Sequence, residues 1–136
     1  MTKVVIDQED FRKKLERACE GIAFDIQEEL KGRLTKEHGK DTGGLQANIQ
    51  VRVVGYNEIE ISMPVVGKYL EYGTPPHFPP VDALEGWARR KLGNADLKWA
   101  LAYSIARRGT RPYPFIRPTF ENIGKITRKN LVWAFG

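Results

Sequence analysis

A long periodic run of apolar residues near the start of the chain constrains the fold more than any other feature of the sequence. From Asp7 to His38-Gly39, apolar side chains recur at intervals of three and four residues, and they are Phe11, Leu15, Ala18, Ile22, Ile26, Leu30 and Leu34. This spacing predicts one amphipathic helix with Asp7 as its N-terminal cap. A helix of about thirty residues is ~45 Å long. That length is large for a chain of 136 residues, so we expect part of the helix to contact a neighbouring subunit.

The period of the pattern changes to two after this helix. Between residues 49 and 53, and again between residues 59 and 63, apolar side chains alternate with polar ones, and Gly55-Tyr56-Asn57 lies between the two runs. Alternation on both sides of a turn predicts an antiparallel β-hairpin with one apolar face. A hairpin alone is marginal in water, so the long helix or another strand must cover that face.

Shorter helices are predicted in the second half of the chain. Val66 to Tyr72 is consistent with a helical turn, Val81 to Leu92 with a second helix, and Asp96 to Gly109 with a third. A final helix is predicted to open at Pro118, since proline is favoured at the first helical position. We therefore predict a single α+β domain over residues 1–136, in which a long N-terminal helix packs on a small antiparallel β-sheet and two or three shorter helices follow.

The basic residues are concentrated in the last third of the chain. Residues 1–86 carry 11 Lys/Arg and 15 Asp/Glu, whereas residues 87–136 carry 11 Lys/Arg and 2 Asp/Glu. The candidates for contact with an anionic partner are Arg89, Arg90, Lys91, Arg107 and Arg108. Nucleic acid is one such partner, although no known base-reading motif is present. The alternative is a solvated face with salt bridges to the acidic first helix or to an acidic neighbour.

The sequence contains little that predicts catalysis or metal binding. Asp41-Thr42-Gly43 matches the triplet of aspartic proteases, but polar residues and not an apolar strand precede it, and helices dominate the chain. His38 and His77 each lack a nearby histidine or cysteine, and Cys19 has no second cysteine with which to form a disulfide. We expect no enzyme activity, no cofactor and no metal. No apolar run is long enough for a membrane span or a signal peptide, which predicts a protein made in a cytoplasm and no membrane partner.

Three segments together resemble the tail-component family of long-tailed bacteriophages, which includes tail-completion and head-tail joining proteins. They are Asp41 to Ile49, Tyr69 to Thr74 with the proline loop that follows, and Arg111 to Pro118. Their order and spacing match the family over residues 7–133. Gln46 and Asn48 depart from the basic and serine residues common in the family.

The resemblance implies a structural role in the virion. Such proteins form a ring, commonly a hexamer, at the top of the tail tube, where they meet the connector and where DNA passes. We therefore expect contacts with neighbouring subunits at Tyr72, Thr74, Pro76, His77, Phe78, Arg111, Tyr113, Phe115 and Arg117. An alternative function is a nucleic-acid-binding module that uses the basic C-terminal third. For the apolar residues of the two loops, the other possibility is that they fill the core, and these are Tyr69, Leu70, Phe78, Tyr113, Phe115 and Ile116.

Overall fold

The computed structural model describes residues 4–38 and 43–136, and it has the predicted α+β fold. Backbone contacts group the chain into two compact units. The first unit consists of Met1–Pro64 together with Phe115–Gly136, and the second unit consists of Val65–Pro114. The single domain over residues 1–136 stays a prediction. Asp41 and Thr42 lie outside the described residues.

The long first helix of the first unit is confirmed. It is α1, Gln8–His38. One carboxylate oxygen of Asp7 accepts hydrogen bonds from the backbone N–H groups of Glu9 and Asp10, at 3.0 and 3.2 Å, so Asp7 is the predicted cap. The periodic apolar residues from the middle of the helix onward are buried, and they are Ala18, Ile22, Ile26, Leu30 and Leu34. Phe11, at the start of the series, is 49% exposed.

A two-stranded antiparallel hairpin follows the short helix α2, Gly43–Ala47. Its strands are β1, Gln50–Val53, and β2, Ile59–Ser62, with Val51 opposite Ile61 and Val53 opposite Ile59. Along both strands the apolar residues are half-buried and the polar ones are exposed. The period of two therefore predicted both the hairpin and its apolar face correctly.

The hairpin packs on α1, as predicted. The side-chain oxygen of Gln27 accepts a hydrogen bond from the backbone N–H of Val51, at 3.1 Å. Near the turn of the hairpin, the Cys19 thiol donates to the carbonyl oxygen of Tyr56, at 3.4 Å, and Ile49 is only 1% exposed. Contacts to α1 thus hold both ends of the hairpin.

The last helical segment differs from the prediction. Instead of one helix that opens at Pro118, there are two: α6, Ile116–Glu121, and α7, Ile123–Phe135. Helix α6 begins two residues before Pro118, which lies in the first turn, where its missing N–H breaks no helical hydrogen bond. The side-chain amide of Asn122, between the helices, donates to Glu29 on α1, at 2.7 Å.

Helix α7 packs closely against α1. The amide group of Asn130 donates to Asp25 on α1, at 2.9 Å, and to the carbonyl oxygen of Ile126, at 2.8 Å. A Cβ atom at Gly21 would overlap the amide oxygen of Asn130. The absence of a side chain at Gly21 therefore permits this approach of the two helices.

The second unit is helical, and its predicted helices are confirmed with changed details. It contains α3, Val66–Tyr72, α4, Glu85–Leu92, and α5, Lys98–Arg108. Short 3-10 helices precede α4 at Val81–Leu84 and α5 at Ala95–Leu97. Leu97 and Ala100, which lie near the start of the third predicted helix, are exposed. The buried residues of α5 are Ala102 and Ile105.

Candidate interaction surface

Two loops predicted to contact neighbours are paired with each other within the second unit. Gly73-Thr74 follows α3 and Gly109-Thr110 follows α5, and proline-rich residues come after each pair. Thr74 and Thr110 form an antiparallel β-bridge, in which their N–H and C=O groups bond reciprocally at 3.2 and 3.0 Å. Their hydroxyl oxygens are 2.8 Å apart, within hydrogen-bonding distance. We call this arrangement the threonine bridge.

The two glycines beside the threonine bridge have backbone conformations that require glycine. Gly73 has φ +71° and ψ −178°, and Gly109 has φ +71° and ψ −161°. A Cβ atom at Gly73 would collide with the carbonyl oxygen of Thr110, and one at Gly109 with that of Thr74. Because the region with positive φ and extended ψ is essentially restricted to glycine, the repeated Gly-Thr pair is what permits the bridge.

Further hydrogen bonds attach both loops to helices of the second unit. The N–H of Tyr113 donates to the carbonyl oxygen of Leu70 on α3, at 2.7 Å. The N–H of His77 donates to the carbonyl oxygen of Ile105 on α5, at 3.4 Å, and its Nδ1 lies 2.9 Å from the carbonyl oxygen of Pro75. A carbonyl only accepts, so this second contact requires the proton on Nδ1. Both loops are therefore fixed at several points.

Most of the predicted contact residues in the loops are accessible. Tyr72 is 62% exposed and Phe78 is 55% exposed. The remaining accessible or partly accessible positions of the second unit are Thr74, Pro76, His77, Arg111 and Tyr113. Arg117 is exposed on α6 of the first unit. Phe115 has no exposed surface, which agrees with the other possibility stated for it, that it fills the core.

An aromatic face on α5 adjoins one of these loops and was not predicted from the sequence. Trp99 and Tyr103 are four residues apart on α5 and are 52% and 60% exposed. The rings of Phe78 and Tyr103 meet edge to face with centroids 5.7 Å apart. The available signal in the sequence was that these two aromatic residues are four positions apart in a predicted helix. We call Phe78, Trp99 and Tyr103 the aromatic face.

The five predicted anionic-partner residues are exposed but differ in their surroundings. Arg89 pairs with Glu85 on α4, at 3.0 Å, and Arg90 and Lys91 also have interactions within the chain. Arg107 and Arg108 form no ion pair with any carboxylate in the part of the chain that the structure describes. These two arginines at the end of α5 are thus the best placed for an external anion.

Some of the basic side chains form ion pairs with carboxylates of the same chain. Lys98 donates to Asp82, at 3.3 Å, and to Glu85, at 3.5 Å. The hydrogen bond to Asp82 raises the pKa of the Lys98 ammonium group, with a further contribution from the negative charge of Glu85. In the first unit, Lys129 pairs with Asp25 of the acidic first helix, at 3.7 Å. Salt bridges to the first helix, one of the two alternatives for the basic residues, are therefore found for Lys129.

Metal-binding and membrane-spanning features are not found among residues 4–38 and 43–136. No group of three His, Cys, Asp or Glu side chains in these ranges could hold a metal ion. Within the same ranges, no helix has the length and apolar character needed to cross a bilayer.

Cys19 is 5% exposed, and burial raises the pKa of its thiol. Glu60 pairs across the hairpin with Arg52, at 3.2 Å, on the solvent face.

Comparisons with known proteins add no further assignment to this geometry. No protein-family model, no curated protein and no solved structure matches the chain.

Proposed function

We propose that this chain is a structural subunit of a tailed bacteriophage or prophage particle. In this role it is a tail-completion or head-tail joining protein that assembles with copies of itself into a ring, commonly a hexamer, between the connector and the tail tube. The main support is that two of the segments that resemble the tail-component family are joined beside the threonine bridge, where the N–H of Tyr113 donates to the carbonyl oxygen of Leu70, at 2.7 Å. Segments 36 residues apart in the sequence thereby form one surface.

The construction of that surface suits a ring contact. Association costs free energy when loops and side chains lose freedom, so loops that are already fixed lose less on assembly. Here, proline residues, two constrained glycines and the threonine bridge restrict the loops before any partner binds. The adjoining aromatic face supplies the residue types, tyrosine and tryptophan, that dominate binding energy at protein interfaces.

The proposed role requires no catalytic step, no cofactor and no metal ion. A ring of identical subunits needs a surface on each copy that matches a different surface on the next. The proposed place of action is the neck or tail of the virion, with assembly in the host cytoplasm.

Particles made without the protein test the proposed role. The gene for this chain is disrupted in the phage or prophage that encodes it, and the particles are imaged by electron microscopy. Full heads and separate tails are the expected result. Normal, infectious particles would reject the proposal.

Point variants then test the surface. We expect Phe78→Asp and Tyr103→Asp to fold, because both side chains are more than half exposed, but to fail to restore joined particles. Lys125→Asp, an exposed position on α7, is the control for an added negative charge and should restore them. Circular dichroism and thermal unfolding check that all three variants fold. Full complementation by both aromatic variants would exclude the aromatic face from assembly.

Nucleic-acid binding is the second candidate function, and the exposed Arg107 and Arg108 favour it. If the basic end of α5 contacts phosphates, binding to duplex DNA should weaken steeply with salt, because each neutralised phosphate releases counterions. We expect Arg107→Glu with Arg108→Glu to reduce both the affinity and the salt slope, and Lys125→Glu to have a smaller effect. The absence of any salt-dependent binding in a fluorescence anisotropy titration would eliminate this candidate.

A further inference from the structure

The hairpin of the first unit has one covered edge and one open edge. The N–H of Val54 donates to the carbonyl oxygen of Glu58, at 2.9 Å, which sets the alternation of hydrogen bonds along the ladder. In this register the N–H and C=O groups of Ile59 and Ile61 point away from β1. Gln27 occupies the corresponding outer edge of β1 by accepting from Val51. On the β2 side, no hydrogen bond to these outward groups is found within the described chain.

An apolar cleft lies beside the open edge. It has a volume of about 400 Å³, with α1 residues such as Leu15 on one side and α7 residues such as Ile123 and Leu131 on another. The strand residues that line it are Ile59 and Ile61 of β2. A third strand paired with β2 would lie ~4.8 Å from it and would place alternate side chains in this cleft.

A segment with matching properties precedes α1. Val4, Val5 and Ile6 are consecutive apolar residues outside any helix or strand, and they are 81%, 78% and 69% exposed. Valine and isoleucine are among the residues most favoured in β-strands. The same chain therefore carries an exposed strand-forming segment, which we call the arm, and an unpaired strand edge beside an apolar cleft.

We infer that the arm of one copy adds as a third strand to the outer edge of β2 in a second copy. Main-chain hydrogen bonds to Ile59 and Ile61 hold the added strand, and Val4 and Ile6 enter the cleft because they fall on the same face. Val5 then faces solvent, on the face that carries Glu58 and Glu60.

A second copy is the occupant because, within residues 4–38 and 43–136 of one chain, neither the arm nor the outer edge of β2 has a strand partner. The arm leads directly into the Asp7 cap of α1, and its three side chains stay in solvent while the edge of β2 stays open. Arm and edge are different surfaces, so their pairing is head to tail and can close into a ring. The inference rests on the proposed self-assembly, to which it adds a second contact between copies, separate from the loop surface.

Cross-linking of single-cysteine variants tests the contact. In a Cys19→Ser background, Val5→Cys and Glu60→Cys are made in separate chains, which are then mixed and oxidised. Both positions face solvent in the proposed pairing and lie within disulfide distance on adjacent strands. Because a specific contact raises the local concentration of the two thiols, we expect at least about tenfold more mixed dimer than with Val5→Cys and Arg128→Cys. Arg128 is an exposed position on α7.

The outcomes separate three arrangements. A mixed dimer linked between residues 5 and 60, identified by mass spectrometry, supports the exchange of arms between copies. A further variant carries Val5→Cys and Glu60→Cys in the same chain. If this variant forms only an internal disulfide, and mixtures of the single variants form none, the chain's own arm covers the edge and the inference is overturned. Equal yields at Glu60→Cys and Arg128→Cys, in purified protein and in assembled particles, also overturn it.

The proposed function and the arm contact can fail separately. Particles that lack the protein and do not join, together with no cross-link between residues 5 and 60, would retain the phage role and remove the arm contact. Normal particles together with a strong cross-link would retain the arm contact as self-association and remove the phage role.

Discussion

Gly93 and Gly109 both end helices of the second unit with a positive φ, but their ψ angles place them in different regions. Gly93 has φ +76° and ψ 1°, a left-handed conformation that asparagine also adopts, and a Cβ there meets no atom within 4 Å. Gly109 has φ +71° and ψ −161°, and a Cβ there collides with Thr74. The same substitution at the two positions therefore measures how strongly the threonine bridge depends on glycine.

We expect Gly109→Asn to lower the free energy of unfolding by about 2 kcal/mol or more, because strain and collision act together. The matched change Gly93→Asn should lower the free energy of unfolding by less than about 1 kcal/mol, since asparagine adopts this left-handed conformation only slightly less readily than glycine does. Urea unfolding followed by circular dichroism measures both. Equal, small losses at the two positions would show that the bridge does not need Gly109.

Cys19 should react slowly in the folded protein. Burial raises the pKa of its thiol and therefore reduces the fraction of reactive thiolate near neutral pH. We expect iodoacetamide to alkylate the native chain at least about tenfold more slowly than the urea-unfolded chain. Mass spectrometry of timed samples gives the two rates, and similar rates would contradict the buried position.

The raised pKa of the Cys19 thiol also determines the direction in which pH changes the stability of the fold. A group whose pKa is higher in the folded state stabilises the fold fully below its unfolded pKa. That contribution is lost as the pH rises through the folded pKa. Any effect of Cys19 on stability is therefore confined to alkaline pH, and Cys19→Ser should remove this part of the pH dependence.

At the scale of elements, two glycines on α1 allow a matched test of the contact with α7. A Cβ at Gly21 overlaps the amide of Asn130, whereas a Cβ at Gly32 meets no atom within 4 Å. Gly32→Ala should raise the free energy of unfolding by about 0.5–1 kcal/mol, because alanine favours helix more than glycine does.

Gly21→Ala should lower the free energy of unfolding by about 1 kcal/mol, in spite of the same gain in helix preference. The Asn130 amide must move, which weakens its hydrogen bonds to Asp25 and Ile126. Chemical unfolding of both variants and of the wild type measures these changes in the free energy of unfolding. A stabilising effect at Gly21 as large as that at Gly32 would mean that α7 shifts away from α1 without cost.

The elements that follow a local period were predictable from the sequence, and those set by distant contacts were not. Periodicity predicted α1 and its cap, both strands of the hairpin and the turn between them. The break at Asn122 was missed because it depends on a distant contact, the hydrogen bond from its side chain to Glu29 across 93 residues.

The candidate site was predicted in part for the same reason. The resemblance to the tail-component family identified the two loops, but nothing local indicated that Thr74 would pair with Thr110. Phe115 follows a proline in the same stretch as exposed residues, yet its side chain is buried. An aromatic residue beside a loop can serve the core or a contact, and only the packing distinguishes the two.

At the scale of the whole molecule, protection against hydrogen exchange should follow the distribution of buried residues. The central part of α1, residues 18–34, contains most of the buried apolar side chains of the first unit. We expect its amides to exchange slowest, and those of the exposed hairpin turn at residues 55–57 to exchange fastest. Hydrogen–deuterium exchange with peptide-level mass spectrometry measures this order. Comparable rates in the two segments would contradict it.

The partnership of α1 with α7 has a consequence for the synthesis of the chain. The contact between Asp25 and Asn130 spans 105 residues. At a translation rate of about 5–20 residues per second, the apolar side of α1 waits on the order of 5–20 s for its partner helix to be made. A ribosome-bound chain that stops after the second unit still exposes that side, and is the form that chaperones and proteases should recognise.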